Sequence, residues 1–163
     1  MAQCFNIGIM IDHIYKRIIF VGRSGNYREP MALGIFKDCF LTEEIEVLAR
    51  GLVVAFAEPM NQKAEAVLIS NGISLEGFTS VQLTEKDITE DTLVLAMESA
   101  HRERILNQMP NVKEDQVFVL TEFVGDELEI IDPYGGSLQA YGLCYESLRK
   151  TIKKLVKVLN EGE

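Results

Sequence analysis

A chain of 163 residues with 47% hydrophobic content is long enough to bury one substantial core, and no low-complexity stretch points to a disordered arm. A formal charge of −9, from 16 basic and 25 acidic residues, excludes a general nucleic-acid binder, which needs clustered cations against phosphate. One local anion site remains compatible with that balance, and no apolar run reaches the length of a membrane span.

The first sixteen residues include Cys4-Phe5-Asn6-Ile7-Gly8-Ile9-Met10-Ile11, apolar enough for an extra strand or for an arm that pairs two copies in a homo-oligomer. Asp12, His13, Lys16 and Arg17 follow at once, with no small-residue cleavage site, so a cytoplasmic location is expected. Residues 18–21, Ile-Ile-Phe-Val, read as a buried strand. The loop from Gly22 to Glu29 leads into Pro30, a residue favoured at the first helical position, which predicts a helix from Pro30 to about Phe40. Strand, glycine-bearing loop and helix start form the local geometry of a phosphate-binding loop.

Residues 45–56 form a second β-rich run, and a helix is predicted from about Pro59 to Ser70, closed by Asn71-Gly72. Thr92–Met97 and Val117–Leu120 read as short buried strands, with a helix from about Glu98 to Met109 between them. In the last helix Leu138, Tyr141, Tyr145, Leu148, Ile152, Leu155 and Leu159 recur every three or four residues as a core stripe, with Ser137 as its N-cap. Alternating short strands and helices predict an α/β fold: one doubly wound parallel sheet of about four strands in flavodoxin-like order, with helices on both faces. Residues 1–16 are set apart as the arm, and residues 17–163 as the single domain. Cys4, Cys39 and Cys144 match no metal or redox spacing and read as free thiols, so neither metal nor cofactor is expected.

Several segments, in order, carry a resemblance. Phe20-Val21 is followed by Gly22-Arg23-Ser24-Gly25-Asn26-Tyr27-Arg28-Glu29-Pro30-Met31-Ala32, and Ile131-Asp132-Pro133-Tyr134-Gly135-Gly136-Ser137-Leu138 stands near the other end. Pro59-Met60-Asn61-Gln62-Lys63-Ala64, Asn71-Gly72-Ile73, Leu93-Val94-Leu95-Ala96-Met97 with His101, Val117-Phe118 and Glu122-Phe123-Val124-Gly125 lie between them. Over about residues 17–159 the chain resembles the low-molecular-weight protein tyrosine phosphatases, which are related to arsenate reductases. The resemblance implies two-step phosphoryl transfer: a cysteine thiolate in a Cys-(x)5-Arg loop attacks phosphorus, the arginine clamps its oxygens, and an aspartate protonates the leaving group.

Carried over residue by residue, Arg28 matches the clamp and Asp132 the general acid. Six positions before Arg28 stands Gly22, in place of the nucleophilic cysteine; alignment on Gly25-Asn26 puts Arg23 there instead, and neither is a thiol. The residues implied to surround phosphate are Arg23, Ser24, Gly25, Asn26, Tyr27 and Arg28, with Glu29 and Tyr134 at the pocket rim. Glu29 replaces a serine that helps the thiolate, and its charge either turns outward or caps the following helix. Arg28 either holds an anion or pairs with Glu29 or Asp132, and Tyr27 is a candidate plug of the empty space. His101, beside Arg102 and Arg104, reads as part of a solvated helix face. The expectation is an inactive phosphatase homologue with a binding or regulatory role. Phosphate, sulfate or a phosphorylated ligand is its expected partner, and nucleic acid and membrane are not. The alternatives are an active phosphatase with another nucleophile and a structural domain with a blocked pocket.

Overall fold

The computed structural model describes residues 14–161. Four strands, β1 (Arg17–Gly22), β2 (Glu46–Gly51), β3 (Thr92–Ala96) and β4 (Val117–Val119), form one parallel sheet in the order β2-β1-β3-β4. Among the described residues five α-helices accompany them, α1 (Arg28–Lys37), α2 (Gln62–Ser70), α3 (Ser99–Gln108), the single turn α4 (Leu120–Phe123) and α5 (Leu138–Glu161), with short 3-10 turns at Glu85–Asp87 and Glu114–Gln116. The doubly wound α/β architecture expected from the alternating pattern is the one observed.

The β1 residues show why the sheet needs two covered faces. Ile18 and Phe20 point into the larger core cluster, with residues of α1, α2 and α5, whereas Ile19 and Val21 point into a smaller cluster with Ile105 of α3. All four are fully buried, so this strand is apolar throughout instead of alternating. Because β1 pairs with β2 on one side and with β3 on the other, the chain reverses direction across the sheet at the carboxyl end of β1. Open α/β sheets bind ligands in the crevice at such a point.

Boundaries differ from expectation where tertiary bonds decide them. The first helix begins two residues before Pro30, at Arg28, and stops at Lys37 instead of Phe40. Pro30 still stands in the first turn, where a missing N–H breaks no intrahelical bond. The second β run ends at Gly51, and α2 begins at Gln62 because Asn61 caps it, accepting from the amides of Lys63 and Ala64. In α5 the stripe from Tyr141 to Leu155 is buried and includes Cys144, but Leu138 at its start is exposed and Leu159 only partly covered. Ser137 accepts from the amide of Ala140, as a cap does. Most of the N-terminal arm, with Cys4, lies outside the described residues. Among the described residues, no helix is long and apolar enough to cross a membrane.

Candidate active site

The loop between β1 and α1 and the loop around Asp132 meet at the switch point. Gly25 holds the first loop against the sheet: its φ is +77°, and a Cβ there would lie 2.9 Å from the Gly51 amide nitrogen. Asn26 links the loop to the start of α2, its carbonyl accepting from the Asn61 amide at 2.8 Å, while Ser24 Oγ donates to Asn26 Oδ1 at 2.9 Å. Arg23 is exposed, and its carbonyl accepts from the Val53 amide at 2.8 Å.

Glu29 overturns its expected place at the rim. It neither turns outward nor caps α1; it is 1% exposed and folds back into the loop, where Oε2 accepts from the Gly25 amide at 2.9 Å. A Cβ at Gly22 would lie 2.2 Å from that same Oε2 and 2.7 Å from Glu29 Cδ. The glutamate side chain therefore fills the space that any side chain on Gly22 would enter. Burial pushes the Glu29 carboxyl above the ordinary range, partly offset by the amides of Glu29, Gly25 and Tyr27 and by Arg28. Its Oε1 is buried with no hydrogen-bond partner among the described residues.

Arg28 is as deeply buried, and its guanidinium does not pair with Glu29. It donates through Nη1 to the Ile130 carbonyl at 3.0 Å and through Nη2 to Glu98 Oε2 at 2.6 Å, with Asp132 Oδ2 at 3.7 Å; Nε has no hydrogen-bond partner among the described residues. Burial opposes its charge, but the Glu98 hydrogen bond and the Asp132 carboxylate outweigh that and hold its pKa above the ordinary arginine value. Glu98, which lies just past the end of β3, was not singled out by the sequence pattern. The signal was its place at the carboxyl end of the strand beside β1.

Asp132 is engaged on its other oxygen, where Oδ1 accepts from the Tyr27 hydroxyl at 2.9 Å and from the Tyr134 amide at 3.0 Å. Tyr27 is 5% exposed and packs between Tyr134, tilted to it, and Tyr141, edge-on to it, with ring centroids 6.0 and 6.2 Å away. It fills space between the two loops, and burial together with the Asp132 bond pushes its phenol pKa up. Tyr134 itself is 75% exposed at the outer edge.

His101 is not on a solvated face: it is buried with Ile105, one turn further along α3, and burial lowers its pKa. Neither described thiol lies in the β1–α1 loop. Cys39 Sγ donates to the Ile35 carbonyl at 3.3 Å, and burial pushes the Cys144 thiol up to about 12. Among the described residues no cluster of His, Cys, Asp and Glu could hold a metal ion.

This arrangement can be set beside known proteins. The family described as low molecular weight phosphotyrosine protein phosphatase matches residues 17–163. The chain belongs to that family. Among its relatives is the protein-arginine-phosphatase of Geobacillus stearothermophilus, 33% identical over 144 residues that span 88% of this chain and 95% of the relative. The protein-arginine-phosphatase of Bacillus subtilis is 34% identical over 148 residues, covering 88% and 97%. Among solved structures, the YwlE arginine phosphatase of G. stearothermophilus superposes with a TM-score of 0.83 at 32% identity, over 90% of this chain and 94% of that one. A low-molecular-weight tyrosine phosphatase from T. tengcongensis gives 0.80 at 34% identity, over 86% and 97%. The family's fold is thus present over nearly all of the described chain, and tyrosine and arginine phosphatases are both among its relatives.

Proposed function

We propose that this phosphatase-family chain does not hydrolyse phosphoesters and serves as a binding or regulatory module. One observation carries the reading: among the described residues, no activatable thiol faces the loop. Gly22 stands in the nucleophile's place, no side chain of the loop replaces it, and the Cys144 thiol, pushed up to about 12, stays protonated at neutral pH. Loss of a nucleophile that works as part of a unit costs about a million-fold in rate in a protease studied that way. The inferred general acid supports the same conclusion. Asp132 is held by Tyr27, Tyr134 and Arg28 instead of standing free to protonate a leaving group.

Of the two alternatives, the blocked pocket has one observation in its favour, since Tyr27 and Glu29 are both buried at the loop. The test is hydrolysis by purified protein of p-nitrophenyl phosphate, a phosphotyrosine peptide and phosphoarginine, the latter two chosen from the activities named for relatives. No turnover above the Arg28→Ala variant is expected with any of them. Clear turnover that Arg28→Ala abolishes would restore the active-phosphatase alternative.

A further inference from the structure

We infer that Glu29 is the loop's resident ligand: its carboxyl group occupies the space an external oxyanion would need, Gly22 makes room for it, and shortening Glu29 opens a phosphate-binding site. The inference rests on the non-hydrolysing reading above and explains what has become of its anion loop.

Three observations meet here. First, Glu29 Oε2 takes the Gly25 amide at 2.9 Å, so a loop donor available to an oxyanion is already used by the protein itself. Second, the positions are sterically exclusive, because a Cβ on Gly22 would lie 2.2 Å from Oε2, 2.7 Å from Cδ and 3.3 Å from Cγ of Glu29. No rotation of one terminal atom relieves three such contacts, so a side chain at position 22 and an inward glutamate at position 29 cannot coexist without displacement. Third, two buried polar atoms on consecutive residues, Glu29 Oε1 and Arg28 Nε, find no partner among the described residues. Folded proteins leave few such groups, and each calls for an explanation. Arginine holds an oxyanion as a fork of parallel N–H donors, but both terminal nitrogens of Arg28 are engaged, by Ile130 and Glu98, while Nε waits. The glutamate thus satisfies the loop incompletely. A tetrahedral oxyanion in its place could accept from the Gly25 amide and from Nε once Arg28 readjusts.

Glu29 and Gly22 then form one coupled replacement. Restoring a cysteine at position 22 alone places its side chain against the glutamate, whereas removing the glutamate alone leaves a vacant cradle with free donors. Arg23, exposed on the same loop, adds attraction for an anion approaching from solvent.

The experiment titrates inorganic phosphate and orthovanadate calorimetrically into the unaltered protein, Glu29→Gln, Glu29→Asp and Glu29→Ser at neutral pH. Thermal melts confirm that each is folded. The unaltered protein and Glu29→Gln, which keeps the bulk, are expected to bind neither anion, while Glu29→Ser gains affinity by at least about tenfold. Glu29→Asp, which withdraws the carboxyl by one methylene, serves the same comparison if the serine variant does not fold. A parallel series follows p-nitrophenyl phosphate hydrolysis, expected only in Gly22→Cys/Glu29→Ser and not in Gly22→Cys. Phosphate binding by the unaltered protein as tight as by the shortened variants overturns the inference, and so does a folded shortened variant that gains nothing. Transfer of a phosphoryl group onto Glu29 of the unaltered protein, seen by mass spectrometry, overturns it too, since the carboxyl would then be a nucleophile and not an occupant. The two readings fail separately: hydrolysis by the unaltered protein removes the claim of inactivity, whereas tight phosphate binding without hydrolysis removes only the resident carboxyl.

Discussion

The β1–α1 loop and the Asp132 loop border the same crevice but differ in burial and in how far they depart from the family pattern. From Tyr27 to Glu29 the first loop is buried, and the resemblance read from the sequence puts the departures in this loop, at Gly22 and Glu29. The second resembles the family pattern from Ile131 to Leu138, yet exposes Ile131, Tyr134 and Leu138. A buried substitution must be matched by its neighbours, as Glu29 is by the absent Cβ of Gly22. An exposed loop meets no such demand, so its preserved sequence says less about preserved chemistry than the rewritten interior does.

The largest effect that tests this contrast belongs to Arg28. It joins the two loops, reaching Ile130 and Asp132 on one side and Glu98 on the other. Arg28→Ala removes a side chain of a residue 1% exposed and leaves two carboxylates without their shared cation. A loss of about 3 kcal/mol is expected in urea unfolding, the low end for breaking a buried pair, because Glu98 and Asp132 keep solvent contact. A loss below about 1 kcal/mol would mean that the loops are not held through this residue.

Gly22→Cys comes next. Its Cβ meets Glu29 as described, and overpacking of this kind costs about 1–3 kcal/mol. Adding Glu29→Ser should recover most of that loss, so the two changes are non-additive in a double-mutant cycle. Simple additivity would show that Glu29 leaves the loop without resistance and that the buried loop is as forgiving as the exposed one.

How much of this could be read from the sequence follows the range of the interactions. β1 and β3 were legible because a strand buried on both faces is a continuous apolar run, and the α5 stripe because helical spacing repeats over several turns. A motif named Asp132 and Arg28, and the fold brings the two within 3.7 Å of one another. The inward turn of Glu29 was not, since an acidic residue in a helix's first turn is ordinarily favoured there by the dipole, and only the void beside Gly22 draws it inward. The partnership of Arg28 with Glu98 joins residues 70 apart, and nothing local marks it. His101 was misjudged from its charged neighbours Arg102 and Arg104. The better signal was its spacing of four from Ile105, which puts both on one face of α3.

The smallest effects compare two tyrosines in contact, one from each loop. Tyr27→Phe deletes only the hydroxyl that donates to Asp132, and about 1 kcal/mol is expected for a hydrogen bond of this kind. Tyr134→Ala removes a whole ring from the outer loop, yet the residue is 75% exposed beside Tyr27, so a change within about 0.5 kcal/mol is expected. The order is what matters, because one oxygen atom on the buried loop should outweigh an entire aromatic ring on the exposed one. The reverse order in urea unfolding would place the Asp132 loop, and not the β1–α1 loop, at the structural centre of the site. It would also remove the reason for treating that loop's preserved sequence as unconstrained by packing.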